Sequence, residues 1–209
     1  FMVPSDAGED DVVMCVGCGY AANVERATSA LLDIADDVPQ AAPDMFDTPG
    51  VRTIAALADF EGGASAERQI KTMVMVADGE LVLALVRGDH GLNEQKLSDG
   101  LGCSTLRPAS ADEVQKALGA QPGSLGAVGV DEIRIVADLA LQGRTNMTTG
   151  ANVDDKHYRG VDPGRDITVT EWLDLRTVTA GEPCVNCDTS LEIVRCIEAG
   201  HIFKLGRKY

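Results

Sequence analysis

Ile70-Lys71-Thr72-Met73-Val74-Met75-Val76 and Glu80-Leu81-Val82-Leu83-Ala84-Leu85-Val86-Arg87 are two β-rich runs on either side of Asp78-Gly79. An Asp-Gly pair in that position is a hairpin signal, because the favoured two-residue turn needs positive φ at both places. The second run is apolar on both faces, which predicts a central strand. Working outward, Ser65–Gln69 reads as a short helix, and Thr48-Pro49 as an N-cap followed by proline at the first helical position. That helix would turn Val51, Ile54, Ala55, Leu57 and Ala58 toward a core. Downstream, Asn93–Leu101 is a helix candidate, and Ser110-Ala111-Asp112-Glu113 is a capping box opening a helix to about Leu118. Residues 119–129 form a glycine-rich loop, and Ile133–Ala137 and Ile167–Leu175 read as strands. Residues 19–33 read as a short helix fading into a linker, and residues 34–47, with Pro39, Pro43 and no base, as a solvated connector. Strands and short helices mix without a regular βαβ rhythm or an internal repeat. The expected fold class is therefore α+β (mixed α/β).

The chain has 209 residues, enough for one sizeable core or a domain plus a small module. Its 44% hydrophobic content excludes wholesale disorder. No apolar run approaches the roughly 20 residues of a membrane span, and no charged-then-apolar leader is expected. The net charge of −15 and the 4% aromatic content argue against a free-standing nucleic-acid binder. The charge is uneven. Residues 1–60 hold 11 of the 33 acids and two of the 18 bases, whereas residues 134–209 hold ten bases against 11 acids.

Four of the six cysteines form two CxxC pairs, Cys15/Cys18 and Cys184/Cys187. Two such knuckles complete a four-thiolate zinc site; the alternative is two independent redox or free pairs. A shared metal would pin the two ends of the chain together and make everything between them one excursion from a common base. Together with an opening that reads Phe1-Met2-Val3, this suggests a domain inserted into something larger. Cys103 and Cys196 have no such pattern.

The chemistry of the remaining residues is not decided one residue at a time. His90, His157 and His201 are the only histidines, and no G-x-S-x-G elbow, P-loop, dinucleotide fingerprint or HExxH is present. Lys71 opens an otherwise apolar strand and could hold a phosphate or a carbonyl oxygen; the plainer reading is a strand-end lysine reaching water. Asp138 ends a strand, where acids commonly cap loops. His157 lies in a polar stretch, Asp155–Gly160, read as loop. Gly123-Ser124-Leu125-Gly126 could offer backbone N–H groups to an oxyanion or could be a surface turn. Thr48 is most simply an N-cap, with neighbouring N–H groups able to meet an anion.

Taken together, the order Thr48-Pro49, Ile70-Lys71-Thr72, Leu85-Val86-Arg87-Gly88-Asp89-His90-Gly91-Leu92-Asn93, Pro122-Gly123-Ser124-Leu125-Gly126, Ala151-Asn152, Lys156-His157-Tyr158 and Gly200-His201-Ile202-Phe203-Lys204-Leu205-Gly206 resembles the insertion, or editing, domain of bacterial-type prolyl-tRNA synthetase. The resemblance covers essentially the whole chain, and its two ends are similar to the catalytic-domain strands that bracket the insertion. It implies a YbaK-like editing-domain fold, a twisted mixed sheet wrapped by short helices, with a small four-cysteine zinc module near the termini. It also implies an editing domain over residues 34–175, on a base of residues 1–33 and 176–209 formed by catalytic-domain flanks and the zinc module.

The implied activity is hydrolysis of the ester in mischarged alanyl-tRNA(Pro) in cis, a second sieve admitting alanine and excluding the proline ring. Within the resemblance, Lys71, Asp138 and His157 match the editing-site lysine, strand-end aspartate and pocket histidine, and Thr48 a threonine near the terminal adenosine. Gly123, Ser124, Leu125 and Gly126 match the substrate loop. Lys71 would hold the terminal nucleotide or carbonyl region, His157 would shape the wall that measures the side chain, and Asp138 would orient the ligand or a pocket residue. The attacking water would be placed largely by the substrate's own ribose hydroxyl and by backbone groups.

The implied partners are the aminoacylated 3′ end of tRNA(Pro) and the remainder of a synthetase chain, itself a cytoplasmic homodimer. That parent would use ATP, which this region does not bind. Two departures stand out: Ala127 replaces the proline of the usual G-x-x-x-P loop, which frees φ and adds a donor, and Leu139 follows the aspartate in place of a polar residue. The alternatives are a free-standing-type cysteinyl-tRNA(Pro) deacylase and a non-catalytic zinc-tied structural insert. The acidity then predicts weak tRNA affinity for the isolated region.

Overall fold

The computed structural model describes residues 1–32 and 34–200, so the His201–Gly206 part of the closing motif lies outside the described residues. In chain order the strands are β1 (Met2–Pro4), β2 (Asp10–Met14), β3 (Ala21–Asn23), β4 (Asp44–Asp47), β5 (Ile70–Ala77), β6 (Glu80–Arg87), β7 (Leu106–Pro108), β8 (Arg134–Asp138), β9 (Met147–Gly150), β10 (Lys156–Val161), β11 (Glu171–Leu173) and β12 (Glu192–Glu198). The α-helices are α1 (Ile54–Ala58), α2 (Glu94–Leu101), α3 (Ala111–Leu118) and α4 (Pro163–Asp166). This is a mixed α+β chain of sheets and a few short helices. It divides into two compact units: residues 1–32 with the chain from 177 onward, and residues 33–176.

The larger unit is built on the predicted hairpin. β5 and β6 pair antiparallel from Ile70↔Arg87 to Ala77↔Glu80, and the turn places Asp78 at φ 48° and Gly79 at φ 93°. The sheet order is β11-β8-β6-β5-β7, with β6 in the centre and parallel to β8. Both faces of β6 are covered, which is why it carries no polar alternation. Leu83 and Leu85 pack with Ile70, Val74, Val114, Leu118, Ile135, Met147 and Val161 on one side; Val82, Ala84 and Val86 pack with Met75, Leu97, Val136 and Leu175 on the other. α3 opens on the full Ser110–Glu113 capping box, and α2 is capped by Asn93.

Several sequence expectations need correction. The helix expected at Thr48-Pro49 begins later, at Ile54, with Thr53 as its N-cap, because the Thr48 hydroxyl is engaged elsewhere. Residues 34–47 are not a solvated connector. Arg144 holds Asp36 at 2.6 and 2.7 Å, Arg68 holds Asp37, and Asp44–Asp47 pairs with β10 as an edge strand. No helix forms among the described part of residues 19–33; Ala21–Asn23 pairs with β2, and Asn23 closes a single turn through its carbonyl. The polar stretch around His157 is a strand, β10, lying between β4 and β9. The expected strand over 167–175 is reduced to Glu171–Leu173, parallel to β8.

The smaller unit is an antiparallel sheet ordered β1-β12-β2-β3. Its core gathers Val13, Cys15, Ala27, Val178, Cys184 and Leu191. Among the described residues no helix is long and apolar enough to cross a membrane.

Candidate functional site

A cavity of about 290 Å³ opens in the larger unit where the β5 end of the five-stranded sheet meets β9 and β10. That volume lies at the lower edge of small-molecule sites. Its walls come from the Arg52–Leu57 segment, from Gln69–Met73 of the β5 start, from loop residues Pro122, Gly123 and Leu125, from Thr148–Gly150 of β9, and from His157.

His157 reaches the cavity because β10 alternates it inward, opposite Phe46 of β4 and Gly150 of β9. Only 5% of it is exposed. Its Nδ1 lies 2.6 Å from the hydroxyl of Thr48, which is itself wholly buried. Burial lowers the imidazole pKa below its usual value; a backbone hydrogen bond with Gly123 acts in the opposite direction, and the charge of Arg52 adds to the lowering. A neutral ring at pH 7 follows. In the tautomer with its proton on Nε2, Nδ1 accepts from the Thr48 hydroxyl.

Lys71 lines the same cavity, half-buried. Its ammonium donates to the His90 carbonyl at 2.6 Å. Burial lowers its pKa, and Asp89 opposes that shift. The loop that supplies the carbonyl is itself braced: Arg87 donates to both oxygens of Asp89 at 2.6 and 2.8 Å and to His90 Nε2 at 2.8 Å. The Arg-Gly-Asp-His stretch singled out in the sequence is thus the seat of the lysine.

The other expected residues divide. Gly123 and Leu125 line the cavity, but Ser124 and Gly126 do not. Ser124 is wholly buried, its N–H donates to the Gln121 carbonyl and its Oγ accepts from Asp155 N; Gly126 N–H is spent on Asn152 Oδ1. Neither of these two N–H groups is therefore offered to an oxyanion. Asp138 also stands off the cavity. Its Oδ1 accepts from Ala140 N at 2.9 Å, and its Oδ2 from Leu175 N and Arg176 N at 2.7 and 3.1 Å.

Sequence reasoning missed Arg52, Gln69, Thr72, Thr148 and Thr149 as wall residues. Gln69 and Thr72 had a usable signal, as polar residues on either side of Ile70-Lys71 at the start of an apolar strand. The Gln69 amide donates to the Ile54 and Ala64 carbonyls at 2.9 and 2.6 Å, which fixes its orientation and leaves Oε1 with no partner; Thr72 Oγ1 also has none.

In the smaller unit the four cysteine sulfurs of Cys15, Cys18, Cys184 and Cys187 lie within 4.8 Å of one another. The two knuckles have the same backbone pattern: Gly19 N donates to the Cys15 carbonyl and Cys15 N to that of Tyr20, and Asp188 N donates to the Cys184 carbonyl and Cys184 N to that of Thr189. Cys15 and Cys187 sulfurs are 3.5 Å apart and those of Cys18 and Cys184 3.7 Å. A tetrahedral zinc with Zn–S near 2.3 Å has sulfur–sulfur edges of roughly 3.8 Å, so the donor set and its spacing fit that ion.

The chain is 50% identical over 211 residues to proline–tRNA ligase 1 of Anaeromyxobacter dehalogenans (strain 2CP-C) and 49% identical over 215 residues to proline–tRNA ligase of Anaeromyxobacter sp. (strain Fw109-5). All of the chain is covered in both matches but only 37% of either relative, so the chain spans little more than a third of their length. The fold is shared with the solved structure of a proposed trans-editing enzyme for prolyl-tRNA synthetase, at TM-score 0.56 and 22% identity, covering 64% of this chain and 86% of that one. Residues 48–167, from the threonine that holds the pocket histidine to the residue just after α4, match the family of the aminoacyl-tRNA editing domain, and the chain belongs to that family.

Proposed function

We propose that the larger unit hydrolyses the ester of alanyl-tRNA(Pro), acting in cis within a proline–tRNA ligase, and that the smaller unit is its zinc-tied base. The observation that carries this reading is the single small cavity that joins Lys71, His157 and the Gly123–Leu125 loop inside the segment matching the editing family. Ile54, Leu57, Ile70 and Leu125 give the cavity an apolar wall suited to a methyl side chain, and exclusion of the proline ring is part of the proposal.

In the reaction, the oxygen of a water forms a bond to the ester carbonyl carbon, and the bond from that carbon to the ribose oxygen breaks. The water's proton passes to the ribose oxygen, and alanine leaves as the free acid. Lys71, held toward the loop by the His90 carbonyl, supplies positive charge for the terminal nucleotide or the carbonyl oxygen. His157, neutral and pinned by Thr48, is a wall and a hydrogen-bonding edge. Asp138 is a positioning residue: it ties the 175–176 segment to the end of β8, and its charge is felt at His90, the residue that seats Lys71. The substrate's ribose hydroxyl places the water. Zinc, where bound, would be held by Cys15, Cys18, Cys184 and Cys187 and would supply cross-linking of the two knuckles.

The test is deacylation of alanyl-, cysteinyl- and prolyl-tRNA(Pro) by this chain and by the longer protein containing it. Selective release of alanine supports the reading. Faster release of cysteine supports the deacylase alternative, and buffer-rate release from all three supports a structural insert.

A further inference from the structure

The loop that lacks the usual proline is held by a device that the sequence motifs do not announce. The turn between β9 and β10, Ala151–Asp155, grips it at four points. Asn152 Nδ2 donates to the Gly126 carbonyl at 3.0 Å, and Asn152 Oδ1 accepts from Gly126 N at 2.8 Å. Asn152 N donates to the Ser124 carbonyl at 2.8 Å, and Asp155 N to Ser124 Oγ at 3.1 Å. Loop and strand also touch backbone to backbone: a Cβ on Gly126 would stand 1.9 Å from the Gly150 oxygen, and one on Gly150 would stand 2.3 Å from the Leu125 oxygen. Turn residues Asn152 and Asp155 both take positive φ, 54° and 63°.

The same turn holds the segment packed beside the loop, where a Cβ on Gly123 would stand 2.8 Å from Arg52 Cα. The Asp155 carbonyl accepts from Thr48 N at 2.7 Å, and its carboxylate accepts from Gly50 N at 2.9 Å and pairs with Arg52 at 2.8 Å. Two residues further along the chain stands His157. Two adjoining parts of the cavity lining, the Gly123–Leu125 loop and the Thr48–Arg52 segment, are therefore both positioned by one five-residue turn.

We propose that Asn152 is a specificity-determining positioning residue. By bonding Gly126 in both directions it sets where Gly123 and Leu125 stand in the cavity lining, and so which acyl side chains enter. It replaces the local stiffness that a proline at position 127 would have provided. This inference rests on the editing reading given above.

The experiment compares kcat/KM for alanyl-tRNA(Pro) and prolyl-tRNA(Pro), with the intact chain and its Asn152→Ala, Asn152→Asp and Ser124→Ala variants, and with a thermal melt of each. Asn152→Asp keeps one acceptor but loses the donor and sets a carboxylate against the Gly126 carbonyl; Ser124→Ala removes only the Asp155 contact. The expected result is that the alanyl-to-prolyl preference falls about tenfold in both Asn152 variants, the fold-change equivalent of about 1.4 kcal/mol, and by less in Ser124→Ala. Equal proportional losses on the two esters in every folded variant overturn the proposal and leave the editing reading standing. A wild-type chain that hydrolyses neither ester overturns both.

Discussion

The Thr48 hydroxyl lies 2.6 Å from Nδ1 of His157, 109 positions away in the chain, and both groups are buried. The contact joins the segment before α1 to β10 and fixes which edge of the imidazole faces the cavity. Replacing Thr48 by Val keeps the shape but leaves Nδ1 without a donor, at a cost of about 1–3 kcal/mol. Thr48→Val should lower the melting temperature and reduce deacylation together, while Thr48→Ser, which keeps the hydroxyl, should stay near wild type in both. A melt and a single-turnover assay on the two variants check this.

The lowered pKa of His157 sets a pH dependence whose sign follows from linkage. Its folded value lies below the unfolded value of about 6.5, so between the two the unfolded chain binds more protons. The ring's contribution to stability is fully present above about pH 6.5 and is lost as pH falls toward the folded pKa. If the neutral ring also shapes the reacting site, the acid limb of kcat/KM for deacylation should fall below pH 6.5. A limb at or above 6.5 that vanishes in His157→Asn would show a ring titrating as an ordinary exposed histidine and contradict the burial argument.

Lys71 is set on the wall of the cavity by a carbonyl and not by a carboxylate, so its charge is not neutralised by a direct ion pair there. Lys71→Met keeps most of the apolar stem and removes the charge. Loss of such a preorganised electrostatic group costs about 10²-fold in rate. The expected outcome is a drop of that order in deacylation with a melting temperature within a few degrees of wild type. A parallel collapse of stability and rate would instead mark the lysine as structural.

Asp138 should behave in the opposite way. Its oxygens satisfy three backbone N–H groups among buried surroundings. Asp138→Ala strands those donors, and each unsatisfied group costs about 1–3 kcal/mol. The melt should fall by several degrees, while the rate per folded molecule falls far less than in Lys71→Met. Activity measured at low temperature, normalised to the folded fraction, separates the two effects.

The hairpin, the central strand and the capping box were legible because each rests on neighbouring residues: Asp78-Gly79 between apolar runs, β6 without polar alternation, Ser110 three places before Glu113. What escaped was set by distant partners. Thr48-Pro49 has every local mark of a helix start, yet Thr48 is taken by His157 and the cap passes to Thr53. The acidic stretch after residue 34 looked solvated because its bases, Arg68 and Arg144, lie far along the chain. β10 is rich in polar residues because Lys156 and Arg159 pair with Asp47 and Asp44 of the neighbouring edge strand, leaving His157 to turn inward. Among the wall residues, Lys71 and His157 were legible by motif, whereas Thr148 and Thr149 are marked only by the fold.

The four-cysteine cluster gives the last prediction. Both knuckles bring their thiols to one point with the same hydrogen-bond pattern, and the observed sulfur separations of 3.5 and 3.7 Å match the edge of a zinc tetrahedron. Four thiols gathered this closely in a small unit, around a core cluster of Val13, Cys15, Ala27, Val178, Cys184 and Leu191, gain stability from a bound ion that the unfolded chain does not hold as well. Protein purified without chelator should carry one zinc per chain, and Cys18→Ser should lower that content. Chelation should reduce the melting temperature of the wild type and have less effect on the variant. Zinc well below one per chain, with a melt that ignores chelator, would instead assign the knuckles to free or redox-active thiols.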